Sequence, residues 1–348
     1  MTIVAPSPVL IVGCGLIGTS IGLGLAEAGA DVHLDDLDPN NVRLAVEAGA
    51  GTAAPASAPA LIVVATPPAA VVRTVRALLA EYPRAVVTDV ASVKAPIVSV
   101  IDDPRFVGGH PMAGKERSGP TAGSAQLFEG RAWAIVPGPS TNPDAVDLVE
   151  RTVTELGAVP RRFEPQAHDE AVALVSHVPQ LMSVLTAALL ADAPSGYAAL
   201  AGQGLRDVTR IARSDAELWV DILGHNAGAI SPLLETVRDR LDALIEAMGH
   251  DEQAVASLLK RGRAGTTVIP GKHGEVPQEA TSVFVPIDDT PGELARLFQD
   301  TAEAANIEDL RIDHEIGRPV GLVEIVVLAS GAETLVETLR TKGWSAYR

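Results

Sequence analysis

Over its first 165 residues the chain alternates short unbroken runs of β-branched and aliphatic residues with longer stretches rich in Ala and Leu. The runs fall at 9–12, 31–35, 61–64, 85–88, 106–109 and 132–136, and they lack the every-other-residue polarity of a half-exposed strand. Unbroken apolar runs of this length suit strands covered on both faces. The segments between them are mostly long enough for crossover helices. Together they predict an α/β domain, residues 1–165, built on a Rossmann-type doubly wound parallel sheet.

Residues 166–262 read as an all-α domain with hardly any strand signal. Its longest helix is expected to open at Ser214, because Ser214 and Glu217 make an S-x-x-E capping box. The later half of that helix carries Leu234, Val237, Leu241, Leu244 and Met248 at steps of three and four. A sustained apolar stripe on so long a helix calls for a partner, which a second copy of the chain can supply. Pro179 and Pro232 are expected to kink their helices. Residues 263–280, rich in Gly, Pro and turn formers, read as a linker. From 281 to 348 a β pattern restarts: TSVFVPI, a DDTPGE turn, a helix near 294–305, strands near 309–315 and 322–328, a last helix and the terminal SAYR. That order is a βαββαβ module of ferredoxin-like type.

The length of 348 residues suits two or three such domains, and 47% hydrophobic with 20% charged residues excludes wholesale disorder. With only 3% aromatics the core must be aliphatic. A net charge of −17 repels phosphate backbones and anionic headgroups, so neither nucleic acid nor membrane is an expected partner. The single cysteine, Cys14, excludes an intrachain disulfide and fits a reducing cytoplasm. The N-terminus lacks a signal-peptide pattern, and the most apolar stretch, 181–191, is short of the ~20 residues that span a bilayer. The eight histidines show no metal-ligand spacing, so no metal is expected.

Gly13-Cys14-Gly15-Leu16-Ile17-Gly18 follows the first apolar run directly. Gly13 permits a tight turn, Gly15 lets a pyrophosphate approach the backbone, and Gly18 allows close helix–strand packing. The N–H groups of the helix start, at Leu16 and Ile17, then face the phosphates. Asp36 lies 18 residues past Gly18, where a carboxylate accepts from both ribose hydroxyls. Asp35 and Asp38 flank it and repel a 2′-phosphate, which favours NAD over NADP. A glycine turn without a ligand is the alternative.

Doubly wound sheets bind ligands beyond the carboxyl ends of their strands. That rule brings the glycine loop, Asp36, Thr66, Pro67, Ser92 and His110 to one rim. Hydride loss from an alcohol carbon requires removal of the hydroxyl proton, and an imidazole with pKa near ~6.5 suits that task. His110 is the candidate base and Ser92 a candidate orienting group. Equally, His110 can satisfy strand-end carbonyls and Ser92 can cap a helix. In the helical part Arg210 suits either a bidentate carboxylate clamp or a surface ion pair. His177 and Trp219 suit either pocket or core.

Taken in order, GCGLIGTS, VVATPP, TDVASVK, GGHPMAGKERSG, HDEAVALVSHVPQ and GLRDVTRIARSDAELW closely resemble the prephenate/arogenate dehydrogenase family of tyrosine biosynthesis. The resemblance runs from about residue 9 to 249. Residues 281–348 separately resemble an ACT domain, an amino-acid-sensing module, entered by VPIDDTPGELARLF. The family resemblance implies a cytoplasmic homodimer, joined through its helical domain, that converts prephenate to 4-hydroxyphenylpyruvate with NAD. It implies that His110 accepts the ring-hydroxyl proton and that Ser92 hydrogen-bonds both that hydroxyl and His110. It further implies that Arg210 holds a substrate carboxylate, that His177 faces substrate and nicotinamide, that Glu116 helps close the pocket and that Trp219 lies near its wall. Relatives often carry a glycine run before the arginine; here the residues are Gly202-Gln203-Gly204, which keeps arogenate open as the substrate.

In the ACT-like segment, the turn after Asp288, with Gly292 opening a helix, offers N–H groups to an amino-acid carboxylate. Asn306 follows that helix, and tyrosine is the expected effector. Two further readings remain. A catalytically silent NAD-binding sensor need not keep His110, Ser92 and Arg210 together. A Rossmann reductase for imines or β-hydroxy acids typically uses a lysine or tyrosine in the helical part, and none is suitably placed.

Overall fold

The computed structural model describes residues 6–115, 117–269, 280–314 and 320–348. They form two compact units, one reaching to Ala187 and including Thr209–Val237, the other made of Ala188–Val208 and Arg238–Arg348.

In the first unit, β1 (Val9–Val12), β2 (Val32–Asp35), β3 (Leu61–Val64), β4 (Val86–Asp89), β5 (Phe106–Pro111), β6 (Ala132–Pro137) and β7 (Val159–Arg162) make one sheet. Their order is β2-β1-β3-β4-β5-β6-β7. The helices between them are α1 (Leu16–Glu27), α2 (Pro39–Glu47), α3 (Pro68–Glu81), α4 (Ala95–Val98) and α5 (Pro143–Glu155). Val9, Ile11, Leu61 and Val63 join Ile21 of α1 and Val149 of α5 in one core. Leu10, Ile62 and Val64 join Val71 and Val75 of α3 in another. Successive strand residues thus enter opposite cores, which is why the runs are unbroken. From β1 the chain moves to β2 on one side and then to β3 on the other. The carboxyl ends of β1 and β3 therefore flank the switch point where such sheets take their ligands.

The runs alone predict a wholly parallel sheet, and the structure departs from that at β6. β6 is antiparallel to β5, with His110 opposite Ala134. Between them lie two short 3₁₀ turns, Pro120–Ala122 and Ala125–Phe128, and no crossover helix among the described residues; an antiparallel neighbour needs none. β7 pairs parallel with β6 at the sheet edge. Its sequence, VPRR, has no apolar run to announce it, because an edge strand need not be buried on both faces.

α6 (Pro165–Val172), one π turn (Ala173–His177) and α7 (Val178–Ala191) follow without a break. Pro179 has no N–H for the carbonyl of Val175, and the widened turn absorbs the clash of its ring. This segment is 27 residues long, with mean hydropathy 1.6 in its most apolar window. It exceeds the 181–191 stretch and is long enough to cross a membrane. Along it His168, Asp169, His177 and Gln180 are buried in tertiary hydrogen bonds, while Leu174, Val175, Leu185 and Leu189 stay exposed.

α8 (Gln203–Thr209), a 3₁₀ turn (Arg210–Arg213), α9 (Ala216–His225), α10 (Ala227–Ala247) and α11 (Glu252–Thr266) come next. The single long helix expected from Ser214 is two helices, separated at Asn226. The capping box does not form. Asp215 caps α9 by accepting from the Leu218 N–H at 2.9 Å, while the Ser214 hydroxyl donates to the Ile211 carbonyl at 2.7 Å. Pro232 lies inside α10. α11 runs through Thr266, so helix replaces the start of the expected 263–280 linker; residues 270–279 lie outside the described residues.

The second unit also holds β8 (Ala280–Asp288), α12 (Glu293–Ala302), β9 (Asp309–His314), β10 (Val320–Leu328) and α13 (Ala332–Thr341). β10 lies between β8 and β9, antiparallel to both. Tyr347 bridges Phe284 on the other edge of β8, so the expected fourth strand is a single bridge. Val283, Val285, Val323 and Ile325 pack with Leu297 of α12 and Leu335 of α13.

Candidate active site

The turn after β1 is made by two glycines that the fold demands and one that it does not. Gly13 has φ +104°, and a Cβ there would stand 2.4 Å from the Ala65 carbonyl oxygen. A Cβ on Gly18 would stand 1.8 Å from the Gly13 oxygen. Around Gly15, no heavy atom lies within 4 Å of the equivalent position. Its open backbone, and the uncapped N–H groups of Leu16 and Ile17 that start α1, fit a phosphate group.

Asp36 follows β2 directly. Its Oδ2 accepts from the Cys14 N–H at 2.7 Å and its Oδ1 from the Asp38 N–H at 2.8 Å. A carboxylate held this way keeps lone pairs for ribose hydroxyls. Asp38 itself caps α2, accepting from the Asn40 N–H at 2.9 Å, which is a structural role beside the electrostatic one expected. The Cys14 thiol is pushed up to about 12 by burial, then by Asp36 and Asp35, and is inert. Beyond β3 and β4, the Thr66 and Ser92 hydroxyls are buried without partners. Sealed hydroxyls are normally hydrogen-bonded, so these two fit a polar ligand at the rim. Pro67 precedes α3 at its N-cap.

His110 lies on β5, and its Nδ1 is 3.0 Å from His168 Nε2. His168 Nδ1 is in turn 2.8 Å from Asp169 Oδ1. The same carboxylate accepts from the Lys94 N–H at 2.8 Å and the Ala95 N–H at 2.9 Å. Because an ionised carboxylate only accepts, His168 donates from Nδ1, and as a neutral ring it accepts at Nε2. His110 then donates from Nδ1 and keeps its lone pair on Nε2. Burial, followed by His168, Lys94 and His177, holds His110 well below the ordinary 6.5. The unprotonated form is therefore the one present at neutral pH.

Lys94 and Asp89, both fully buried, form an ion pair below this chain of bonds. Asp89 also accepts from the N–H groups of Ala91, at 3.0 Å, and Gly109, at 3.2 Å. The pair thus ties the loop after β4 to the residue preceding His110. Burial lowers the Lys94 pKa, and Asp89 opposes that shift.

His177 is buried, with Nδ1 3.1 Å from the Asn226 side-chain nitrogen. Its ring meets Trp219 edge to face at 5.8 Å. Burial pushes its pKa down to about 4. Gln180 donates to the Ile211 carbonyl at 3.0 Å, steadying the turn that begins at Arg210. Arg210 is exposed, and its side chain has no hydrogen bond or ion pair among the described residues. The expected Ser92–His110 hydrogen bond is not formed; His168 occupies the Nδ1 side of His110 instead. Glu116 lies outside the described residues. Sequence reasoning does not single out His168, Asp169, Lys94, Asp89 or Asn226. Four of them stand in the TDVASVK and HDEAVALVSHVPQ segments, but their partners are up to 75 positions away.

In the other unit, Gly292 (φ +99°) precedes α12 without a side-chain cap, and the Glu293 N–H donates to the Thr290 carbonyl at 3.3 Å. The Asp288 carbonyl accepts from Thr290 at 2.8 Å, and Asn306 donates to Glu308 at 3.1 Å.

Two family models match the chain, both described as prephenate dehydrogenase: the nucleotide-binding domain over residues 21–161 and the dimerization domain over 164–261. A protein named "Probable prephenate dehydrogenase NovF", from Streptomyces niveus, is 35% identical over 97% of this chain and 98% of its own length. The crystal structure of prephenate dehydrogenase from Aquifex aeolicus, in complex with hydroxyphenyl propionate and NAD+, is 30% identical with a TM-score of 0.67. It covers 75% of this chain and 97% of that one. A Synechocystis arogenate dehydrogenase is 28% identical with a TM-score of 0.62, over 74% of this chain and 98% of that one.

Proposed function

The chain belongs to the prephenate dehydrogenase family, and on that premise we propose that it oxidises prephenate with NAD, releasing CO₂ and 4-hydroxyphenylpyruvate. The Asp169–His168–His110 chain, ending in a lone pair on Nε2, carries this reading.

Gly13, Gly15 and Gly18, with the Leu16 and Ile17 N–H groups, hold the pyrophosphate, Asp36 holds the ribose, and Thr66, Pro67 and Ser92 line the nicotinamide side. NAD, when bound, supplies the hydride acceptor. His110 Nε2 takes the ring-hydroxyl proton as the C–H pair leaves C4 as hydride. The bond from C1 to its carboxylate then gives its electrons to the ring, CO₂ departs, and His110 returns the proton to the phenolate. Ser92 orients the hydroxyl, Arg210 grips a carboxylate, and His177 and Trp219 complete the pocket. NADH formation, measured with prephenate and arogenate side by side, tests the assignment. Absence of NADH with both would overturn it. Faster turnover of arogenate, the second reading prompted by Gly202-Gln203-Gly204 and the Synechocystis relative, would reassign the side chain.

The site favours NAD over NADP, since Asp36 meets the ribose where a 2′-phosphate would stand. The expected kcat/KM is higher with NAD, and Asp36→Ser narrows the gap. Equal values for the wild type would reject this.

We assign residues 1–165 to cofactor binding, 166–262 to the substrate pocket and a homodimer contact, and 281–348 to an ACT-like regulatory domain, in a cytoplasmic enzyme. Exposed Leu174, Leu185 and Val220 in one unit, and Leu200, Leu241 and Met248 in the other, support a second copy as the covering partner. The antiparallel β8-β10-β9 order with Tyr347 beside β8 supports the ferredoxin-like topology. Tyrosine is the proposed effector, with its carboxylate at the α12 start near Asp288 and Gly292 and its polar end near Asn306. Truncation after Ile269, beyond the end of α11, should leave an active enzyme that ignores tyrosine while the full chain is inhibited. A full-length protein that shows neither calorimetric binding of tyrosine nor a rate change would refute regulation.

A further inference from the structure

We propose that Asn226 is a positioning residue that holds His177 as its Nε2–H tautomer, so that His177 offers the substrate a hydrogen-bond donor for a carboxylate or carbonyl oxygen and does not act as a second base. Asn226 fills the one-residue break between α9 and α10 and is 4% exposed. Its side-chain nitrogen donates to the Asp169 backbone carbonyl at 2.9 Å and lies 3.1 Å from His177 Nδ1. A carbonyl oxygen only accepts, so the amide must turn its NH₂ toward Asp169. The second hydrogen of that NH₂ then meets His177 Nδ1, which has to accept. A neutral imidazole that accepts at Nδ1 carries its proton on Nε2. An imidazolium would set an N–H against the amide hydrogens, and burial already holds this ring at about 4. Nε2 has no hydrogen bond among the described residues, and Trp219 packs edge to face on the ring.

Asp169 consequently sets both histidines. Its carboxylate, through His168, leaves His110 with a lone pair at Nε2. Its backbone carbonyl, through Asn226, leaves His177 with a proton at Nε2. One ring is ready to take a proton and the other to donate a hydrogen bond. The substrate contact rests on the proposed dehydrogenase reading, whereas the tautomer does not.

The test uses the full-length protein carrying ¹⁵N-histidine, with the His177 signals assigned by their loss in His177→Asn. The expected wild-type spectrum shows a directly bonded proton on Nε2 and an unprotonated Nδ1. Asn226→Asp presents an acceptor, so the proton should move to Nδ1. Substrate KM should then rise by about tenfold, the size of one hydrogen bond to a charged acceptor. Affinity for NAD should stay unchanged and kcat should change less than KM, because uniform binding is what is lost. A wild-type His177 protonated at Nδ1 overturns the proposal, and so does an Asn226→Asp spectrum identical to wild type. The wild-type spectrum needs no variant, so a poorly folding Asn226→Asp leaves the test intact. The expected tautomer in a protein that does not turn over prephenate would reject the substrate and not the role of Asn226.

Discussion

Replacing His110 with alanine lowers kcat by about 10²–10⁴-fold while NAD affinity stays at the wild-type value, the loss typical of a missing general base. His110→Asn gives the same result, since it keeps polarity but has no lone pair of the right basicity. The physical basis is the bond chain from Asp169 through His168, which leaves the lone pair of His110 on Nε2. The pH profile supplies an independent check. Protonation of His110 removes the base, so the rate falls as pH drops through its pKa. Burial and the neighbouring His168, Lys94 and His177 hold that pKa well below 6.5. The acid limb of kcat/KM should therefore lie below 6.5, with no decline through neutrality. Normal turnover in His110→Ala, or an acid limb at or above 6.5, would remove His110 from the chemistry.

Lys94→Met destabilises the protein by about 3–5 kcal/mol, because it strands the buried Asp89 carboxylate without its counter-charge. Methionine roughly matches the lysine stem in length and apolar volume, so the charge and not a cavity dominates the loss. The N–H groups of Ala91 and Gly109 remain on Asp89 but do not neutralise it. Denaturant unfolding should show a lower midpoint with an unchanged slope. Adding Asp89→Asn to Lys94→Met should recover part of the loss, since the stranded charge goes too. A single-variant loss below about 1 kcal/mol, the range of exposed pairs, would show that Asp89 is effectively solvated. The variant also carries a catalytic readout. Lys94 disfavours protonation of His110, so removing its charge should move the acid limb upward.

Much of the fold is legible along the chain because burial on two faces leaves a local mark. Ile11 and Val63 face one core, Leu10 and Ile62 the other, and each run reads as unbroken apolar residues. β7 leaves no such mark, since Val159–Arg162 is an edge strand with two arginines. The direction of β6 is equally silent, because an apolar run has the same composition in either sense. Ser214 and Asp215 are adjacent acceptors, and spacing alone does not say which of them caps the helix. The N-terminus of α9 decides it, with Ser214 spent on the Ile211 carbonyl.

For the site, the sequence by itself determined which residue types stand at the strand ends: the glycine loop, Asp36, Thr66, Ser92 and His110. Strand-end loops are local features, and their place on one rim follows from the sheet topology that the runs imply. It also determined the family, through motifs long enough to be specific. Only the tertiary structure decided how the histidines are set. His110 meets His168 across 58 positions, Asp169 meets Lys94 across 75, and Asn226 meets His177 across 49. The first two form where α6 meets β5 and the loop after β4, and the third where the break between α9 and α10 meets the π turn. A tautomer depends on what each ring nitrogen touches, and composition and spacing carry no record of such contacts.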